Sequence, residues 1–99
     1  MGIVVVRYAV KPERVEEYQR LIERVFAELS ESDPGGIRYA TFLLEDGVTF
    51  VHVASIDTED GSNPLGSISA FADFTRDIAA RCVEPPVAQA AEVVGSYGL

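Results

Sequence analysis

Hydrophobic positions change their spacing along this chain, and each spacing predicts an element. Ile3-Val4-Val5-Val6 opens a continuous β-branched run to about Ala9, the pattern of a central strand buried on both faces. Lys11-Pro12 then starts a helix, with Pro12 suited to a first helical position that needs no N–H. Val15, Tyr18, Leu21, Ile22, Val25, Phe26 and Leu29 recur at three- and four-residue steps as one apolar stripe. Glu13, Glu16 and Glu17 fall in its first turns, where the helix dipole favours acids, and Glu16 can pair with Arg20. The breakers Ser32-Asp33-Pro34-Gly35-Gly36 end it.

The stretch Ile37–Ile56 reads as a hairpin turning at Asp46-Gly47, with positive φ expected at both residues of a type I′ turn. That turn predicts a register: Leu43 opposite Phe50, Thr41 opposite His52, Tyr39 opposite Ala54 and Ile37 opposite Ile56. Alternation puts these residues on one face and Arg38, Ala40, Phe42, Leu44, Thr49, Val51, Val53 and Ser55 on the other. Both faces are mostly apolar, and the first carries a polar island of Tyr39, Thr41 and His52.

After a polar loop, Asp57 to Pro64, a second helix is expected from Ser67, its N-cap, to about Val83. Ile68, Phe71, Phe74, Ile78 and Cys82 form its inner stripe, and Pro85-Pro86 stops it. A last strand is expected between Val87 and Tyr97. The order βαββαβ, with two right-handed crossovers and one hairpin, predicts an α+β, ferredoxin-like fold. It has a four-stranded antiparallel sheet with two helices on one face, in a single domain over residues 1–99. The other sheet face is apolar with no helix left to cover it, so a second copy packed sheet on sheet is expected.

Composition narrows the function classes. A net charge of −8 provides no basic stripe for nucleic acid and no attraction to an anionic membrane surface. No apolar run approaches the roughly 20 residues of a membrane span. Met1-Gly2 leads straight into a strand without a signal-peptide pattern, and a single cysteine makes no internal disulfide, so a cytoplasmic location is expected. Phosphate-binding glycine loops, CxxC pairs, HExxH and GxSxG are absent, which disfavours nucleotide hydrolysis, zinc chemistry and serine hydrolysis. Asp57, Glu59 and Asp60 miss the calcium-loop spacing, because Gly61 and Ile68 stand where ligands belong. No metal and no cofactor is expected.

Over its full length the chain resembles the dimeric α+β barrel superfamily, and within it the small proteins grouped with antibiotic-biosynthesis monooxygenases. The resemblance rests on an apolar first strand ending in Arg7-Tyr8, Lys11-Pro12-Glu13 opening helix one, Tyr39-Ala40-Thr41-Phe42, and Phe50-Val51-His52-Val53-Ala54. It implies a homodimer whose two sheets close a barrel, with a cleft between sheet and helices in each protomer. Members include cofactor-free oxygenases of polycyclic aromatic compounds, haem-degrading enzymes and isomerases of small metabolites. Oxygenase members typically place an Asn and a Trp in the cleft. This chain has no Trp, and its one Asn is Asn63, before helix two. Haem-degrading members carry their ligating His on the second helix, whereas His52 is on a strand.

The candidate chemistry gathers at the polar island. His52 reads as a general base or proton shuttle oriented by Thr41 and Tyr39, or as a core histidine satisfied by a neighbouring hydroxyl. Tyr39 and Tyr8 could hydrogen-bond an enol or phenol, or simply bury area. Arg7 and Arg38 on strands call for an anion, either a substrate carboxylate or an acid across the dimer interface. Phe71 and Phe74 read as cleft walls or as core, and Cys82 as a buried thiol. The expected site is thus catalytic His52 and Tyr39, with Thr41, Arg7, Phe71, Phe74 and Asn63 binding a flat, hydrophobic, ionisable small-molecule substrate. The other reading is a non-catalytic ligand-binding or stress-related barrel.

Overall fold

In a computed structural model that describes residues 2–76 and 78–97, strand β1 (Gly2–Val10) lies inside the sheet with a neighbour on each side. A 3-10 turn at Pro12–Arg14 leads into helix α1 (Val15–Ser32), which Asp33 ends in the left-handed conformation. Strands β2 (Ile37–Leu43) and β3 (Thr49–Ile56) form the hairpin. A 3-10 turn at Pro64–Ser67, helices α2 (Ser69–Thr75) and α3 (Ile78–Arg81), and strand β4 (Cys82–Ala91) follow. The strands are antiparallel in the order β2-β3-β1-β4, the ferredoxin-like α+β arrangement expected from the element order. No helix among the described residues is long and apolar enough to cross a membrane.

The hairpin register is as predicted, with Thr41 opposite His52 and Tyr39 opposite Ala54. The turn differs. Gly47 has φ of 77°, but Asp46 is not at positive φ, so this is no type I′ turn. The chain turns over residues 45–48, with the Leu44 N–H donating to the Thr49 carbonyl and the Gly47 N–H to the Leu44 carbonyl. The Asp46 carboxylate accepts from the Val48 and Thr49 amides and the Thr49 hydroxyl, which holds the wider loop. Taking one residue from each strand into the loop leaves every pairing unchanged.

The expected second helix is broken in two and ends early. Arg76 is extended (φ −64°, ψ 126°), so α2 stops at Thr75. Ser67 does not cap it; its hydroxyl donates to the Pro64 carbonyl instead. The free amides of Ser69 and Ala70 are capped from α1, where the Glu28 carboxylate accepts from Ser69 N (2.9 Å), Ser69 Oγ (2.8 Å) and Ala70 N (3.0 Å). Pro85 and Pro86 lie within β4 rather than behind a helix, and Cys82 is that strand's buried first residue. An edge strand tolerates them, and the β1–β4 ladder shifts between the Arg7–Val87 and Ala9–Glu84 pairs. Val93 and Val94, expected in the last strand, lie beyond it and are exposed.

Tyr8, Val10, Tyr18, Val25, Phe50, Leu65, Phe74 and Cys82 form the core between helices and sheet. The other face presents Ile3, Val5, Ala40, Phe42, Val51 and Val53, with Phe42 52% exposed. β1 is therefore central in the sheet but not buried on both faces. Its far side is only partly covered.

The amide contacts of Ala70 and Ser69 hold the Glu28 carboxyl below its usual range. A depressed folded value means the cap stabilises above the unfolded value, about 4.3, and is lost as pH falls through the folded one. Glu28→Gln is expected to lower Tm at pH 7, with the gap to wild type closing as acid protonates the carboxyl, as read by circular dichroism melts.

Candidate functional site

Three strands meet at His52. It occupies the middle of β3, opposite Val6 of β1 on one side and Thr41 of β2 on the other, on the helix-covered face. Only 4% of its surface is exposed. The Tyr39 hydroxyl lies 2.6 Å and the Thr41 hydroxyl 2.9 Å from Nδ1, while the Tyr8 hydroxyl lies 2.5 Å from Nε2. Tyr8 faces Phe50 across the ladder, so it reaches His52 on the diagonal. The imidazole also sits among aromatic rings, with centroids 5.3 Å from Tyr8, 5.7 Å from Tyr39 and 5.3 Å from Phe74.

Burial sets the electrostatics. It lowers the His52 pKa from 6.5 to about 4, so the imidazole is neutral at pH 7. It pushes the Tyr39 phenol up to about 12 and the Tyr8 phenol further, with the neighbouring Tyr18 phenol adding to the Tyr8 shift. The site at neutral pH holds hydroxyls and a neutral imidazole, without a formal charge.

Beside His52 opens a cavity of about 250 Å³ between the sheet and the α2–α3 segment. Val4, Val6, Tyr8, Tyr39, His52, Ala54 and Ile56 form its floor, and Asn63, Leu65, Phe71, Phe74, Thr75, Ile78 and Pro86 its roof and rim. Of the residues expected in the site, His52, Tyr39, Phe71, Phe74 and Asn63 come together on this cavity. Thr41 touches His52 but faces a shallow groove beside Gln19, Glu23 and Phe26 of α1. Arg7 does not join them. It pairs with Val51 on the opposite, open face of the sheet, where its side chain is exposed. An arginine one residue before Tyr8 necessarily points the other way on a pleated strand.

Tyr8 is the residue whose part was hardest to read from sequence. No turn joins β1 to β3, so nothing local states that register. The fixed signal was chemical: His52 has two ring nitrogens, and Tyr39 and Thr41 both fall on one neighbouring strand.

Solved structures share this architecture. One of an antibiotic biosynthesis monooxygenase superposes with a TM-score of 0.74 at 18% identity, over 96% of this chain and 100% of that one. SnoaB, a cofactor-independent oxygenase from Streptomyces nogalater in a point-mutant form, gives 0.69 at 15% identity, over 99% and 97%. Rv0793 from Mycobacterium tuberculosis gives 0.72 at 12% identity, over 96% of each. The chain shares the fold of these structures. No protein-family model and no curated protein matches the sequence. At these identities the likeness to the monooxygenase structures is one of fold, and the chemistry rests on the side chains above.

Two outcomes follow for the buried imidazole. Between pH 6.5 and about 4 the unfolded chain binds a proton at His52 that the folded chain does not, so stability rises with pH across that window. The shift corresponds to roughly 3 kcal/mol lost on acidification, a slope that His52→Gln should reduce in urea midpoints measured at pH 7, 5.5 and 4.5. Tyr8→Phe, which removes the hydroxyl at Nε2, should cost about 1–3 kcal/mol in the same assay.

Proposed function

We propose that this chain is a small-molecule enzyme that takes a flat, hydrophobic, aromatic metabolite into the cavity and oxygenates it without a cofactor. The observation that carries the reading is the position of the Tyr39–His52 pair on the wall of a largely apolar cavity roofed by Phe71 and Phe74. Apolar walls with few polar groups to set orientation are the general form of a small-molecule site. The oxygenase reading draws on the likeness to SnoaB, described as a cofactor-independent oxygenase. Conversion of an activated methylene to a carbonyl, R₂CH₂ + O₂ → R₂C=O + H₂O, balances with electrons from the substrate alone. In this reading Tyr39 and His52 are the catalytic residues, and Phe71, Phe74 and Asn63 position the ring system.

A second reading, a non-catalytic ligand-binding barrel, is favoured by one specific observation. An imidazole held neutral down to about pH 4 is a weak proton acceptor. His52→Ala is expected to abolish binding of aromatic ligands while leaving the fold intact by circular dichroism. Oxygen uptake in chelated buffer with aromatic keto and hydroxy compounds then separates the readings. Ligand-dependent uptake lost in His52→Ala supports the enzyme, and tight binding without uptake supports the binding protein.

We also propose that two copies pack through their open sheet faces. Val5, Val51, Val53 and Phe42 make this surface apolar at its centre, with Arg7 and Arg38 exposed among them. An apolar sheet face of this kind is costly to leave in water. Sedimentation velocity is expected to show a dimer for the wild type and a monomer for Val53→Arg, which would place an unpaired charge at the interface centre. A monomeric wild type would overturn the assembly.

A further inference from the structure

We infer that His52 is held as its Nδ1–H tautomer, so that Tyr39 turns its hydroxyl hydrogen into the cavity and the site selects a neutral ligand bearing a carbonyl-type acceptor. The inference rests on the cavity being a ligand site, as proposed above, and adds the direction of its hydrogen bond. It also replaces the ionisable ligand expected from sequence with an uncharged one.

The argument is an accounting of hydrogens. A neutral imidazole has one N–H and one lone pair. Tyr8 is 1% exposed, and among the described residues its hydroxyl has one hydrogen-bond partner, His52 Nε2. Were Nε2 to carry the hydrogen, Tyr8 would accept it, and its own hydrogen would be buried without an acceptor. Passing that hydrogen to the adjacent Tyr18 hydroxyl only moves the deficit, because the buried Tyr18 hydroxyl has no other partner to take its own hydrogen. With the lone pair on Nε2, Tyr8 donates to it, and its oxygen is left to accept from Tyr18. A buried donor without an acceptor is the costlier arrangement, which places the imidazole hydrogen on Nδ1.

That hydrogen meets Tyr39 Oη at 2.6 Å, closer than Thr41 Oγ1 at 2.9 Å. Tyr39 thus accepts from His52, and its own hydrogen is left to choose between the neighbouring Thr41 hydroxyl and an acceptor in the cavity that Tyr39 lines. The rim residue Asn63 acts in the same sense. Its side-chain oxygen is used by the Leu65 amide, leaving its NH₂ to donate. No Lys, Arg, Asp or Glu lines the cavity among the described residues, so an ionised ligand would be buried without a counter-charge. Size sets a further limit. A void of about 150 Å³ accommodates one benzene ring, so a cavity of about 250 Å³ suits about two rings.

Two measurements test this. His52 is the only histidine, so ¹⁵N-histidine labelling gives a single imidazole whose tautomer is read from its nitrogen shifts at pH 7. Nδ1 protonated and Nε2 bare is expected; Nε2 protonated, or a pair averaged between tautomers, overturns the inference. In calorimetry, 1-tetralone should bind about tenfold more tightly than tetralin, while indole should gain nothing over indene. Tyr39→Phe should abolish the difference between 1-tetralone and tetralin. Equal affinities within both pairs, a gain for indole, or preferential binding of 1-naphthoate would overturn the acceptor selection while leaving the cavity reading standing. Binding of none of these probes to the folded protein would remove both.

Discussion

A buried neutral imidazole has two nitrogens to satisfy and no bulk water to do it, and the centre of this fold is arranged around that requirement. His52 is supplied from both flanking strands, by Tyr8 on β1 and by Tyr39 and Thr41 on β2. Each hydroxyl reaches a ring nitrogen only if both ladders keep their register, because a one-residue slip sends the side chain to the other sheet face. The polar cluster therefore demands the same alignment that places the apolar residues of β1, β2 and β3 under the helices. The aromatic rings of Tyr8, Tyr18, Phe50 and Phe74 pack around it and account for the low dielectric that keeps the imidazole uncharged.

The cavity depends on a second, more distant contact. α2 is seven residues long and too short to be stable as an isolated helix. Its stability comes from Phe74 in the core and from Glu28, which reaches across from α1 to satisfy its first amides. That carboxylate holds the element that carries Phe71 and Phe74, so a residue outside the cavity lining positions its roof. The lone Asn63 plays a local counterpart, capping the 3-10 turn at Pro64 while facing the cavity rim.

The two sheet faces divide the labour. One buries the polar cluster and opens the cavity beside it. The other is apolar, with Arg7 and Arg38 among its exposed residues. An arginine and a tyrosine adjacent in sequence thereby belong to different parts of the molecule, Tyr8 to the site and Arg7 to the surface proposed for assembly.

By itself the sequence determined the elements that local physics controls. The α1 stripe, the β-branched first strand and the β2–β3 hairpin all followed from periodicity and from a turn region rich in its own signals. The pairing of Thr41 with His52 was legible because hairpin partners are close in the chain, and it survived a different turn because an even change in loop length preserves register. Helix two departs from its local pattern because distant contacts outweigh it. Its cap is Glu28, 41 residues upstream of Ser69, and its apparent stop signal, Pro85-Pro86, belongs to a strand whose edge position only the sheet order reveals. The site shows the same division. Tyr39, Thr41 and His52 were visible as a cluster on one hairpin face, whereas the third hydroxyl, the exclusion of Arg7 and the cavity itself depended on how β1 and α2 pack against that hairpin. Those are long-range choices, made by burial and hydrogen-bond satisfaction between segments that share no local pattern.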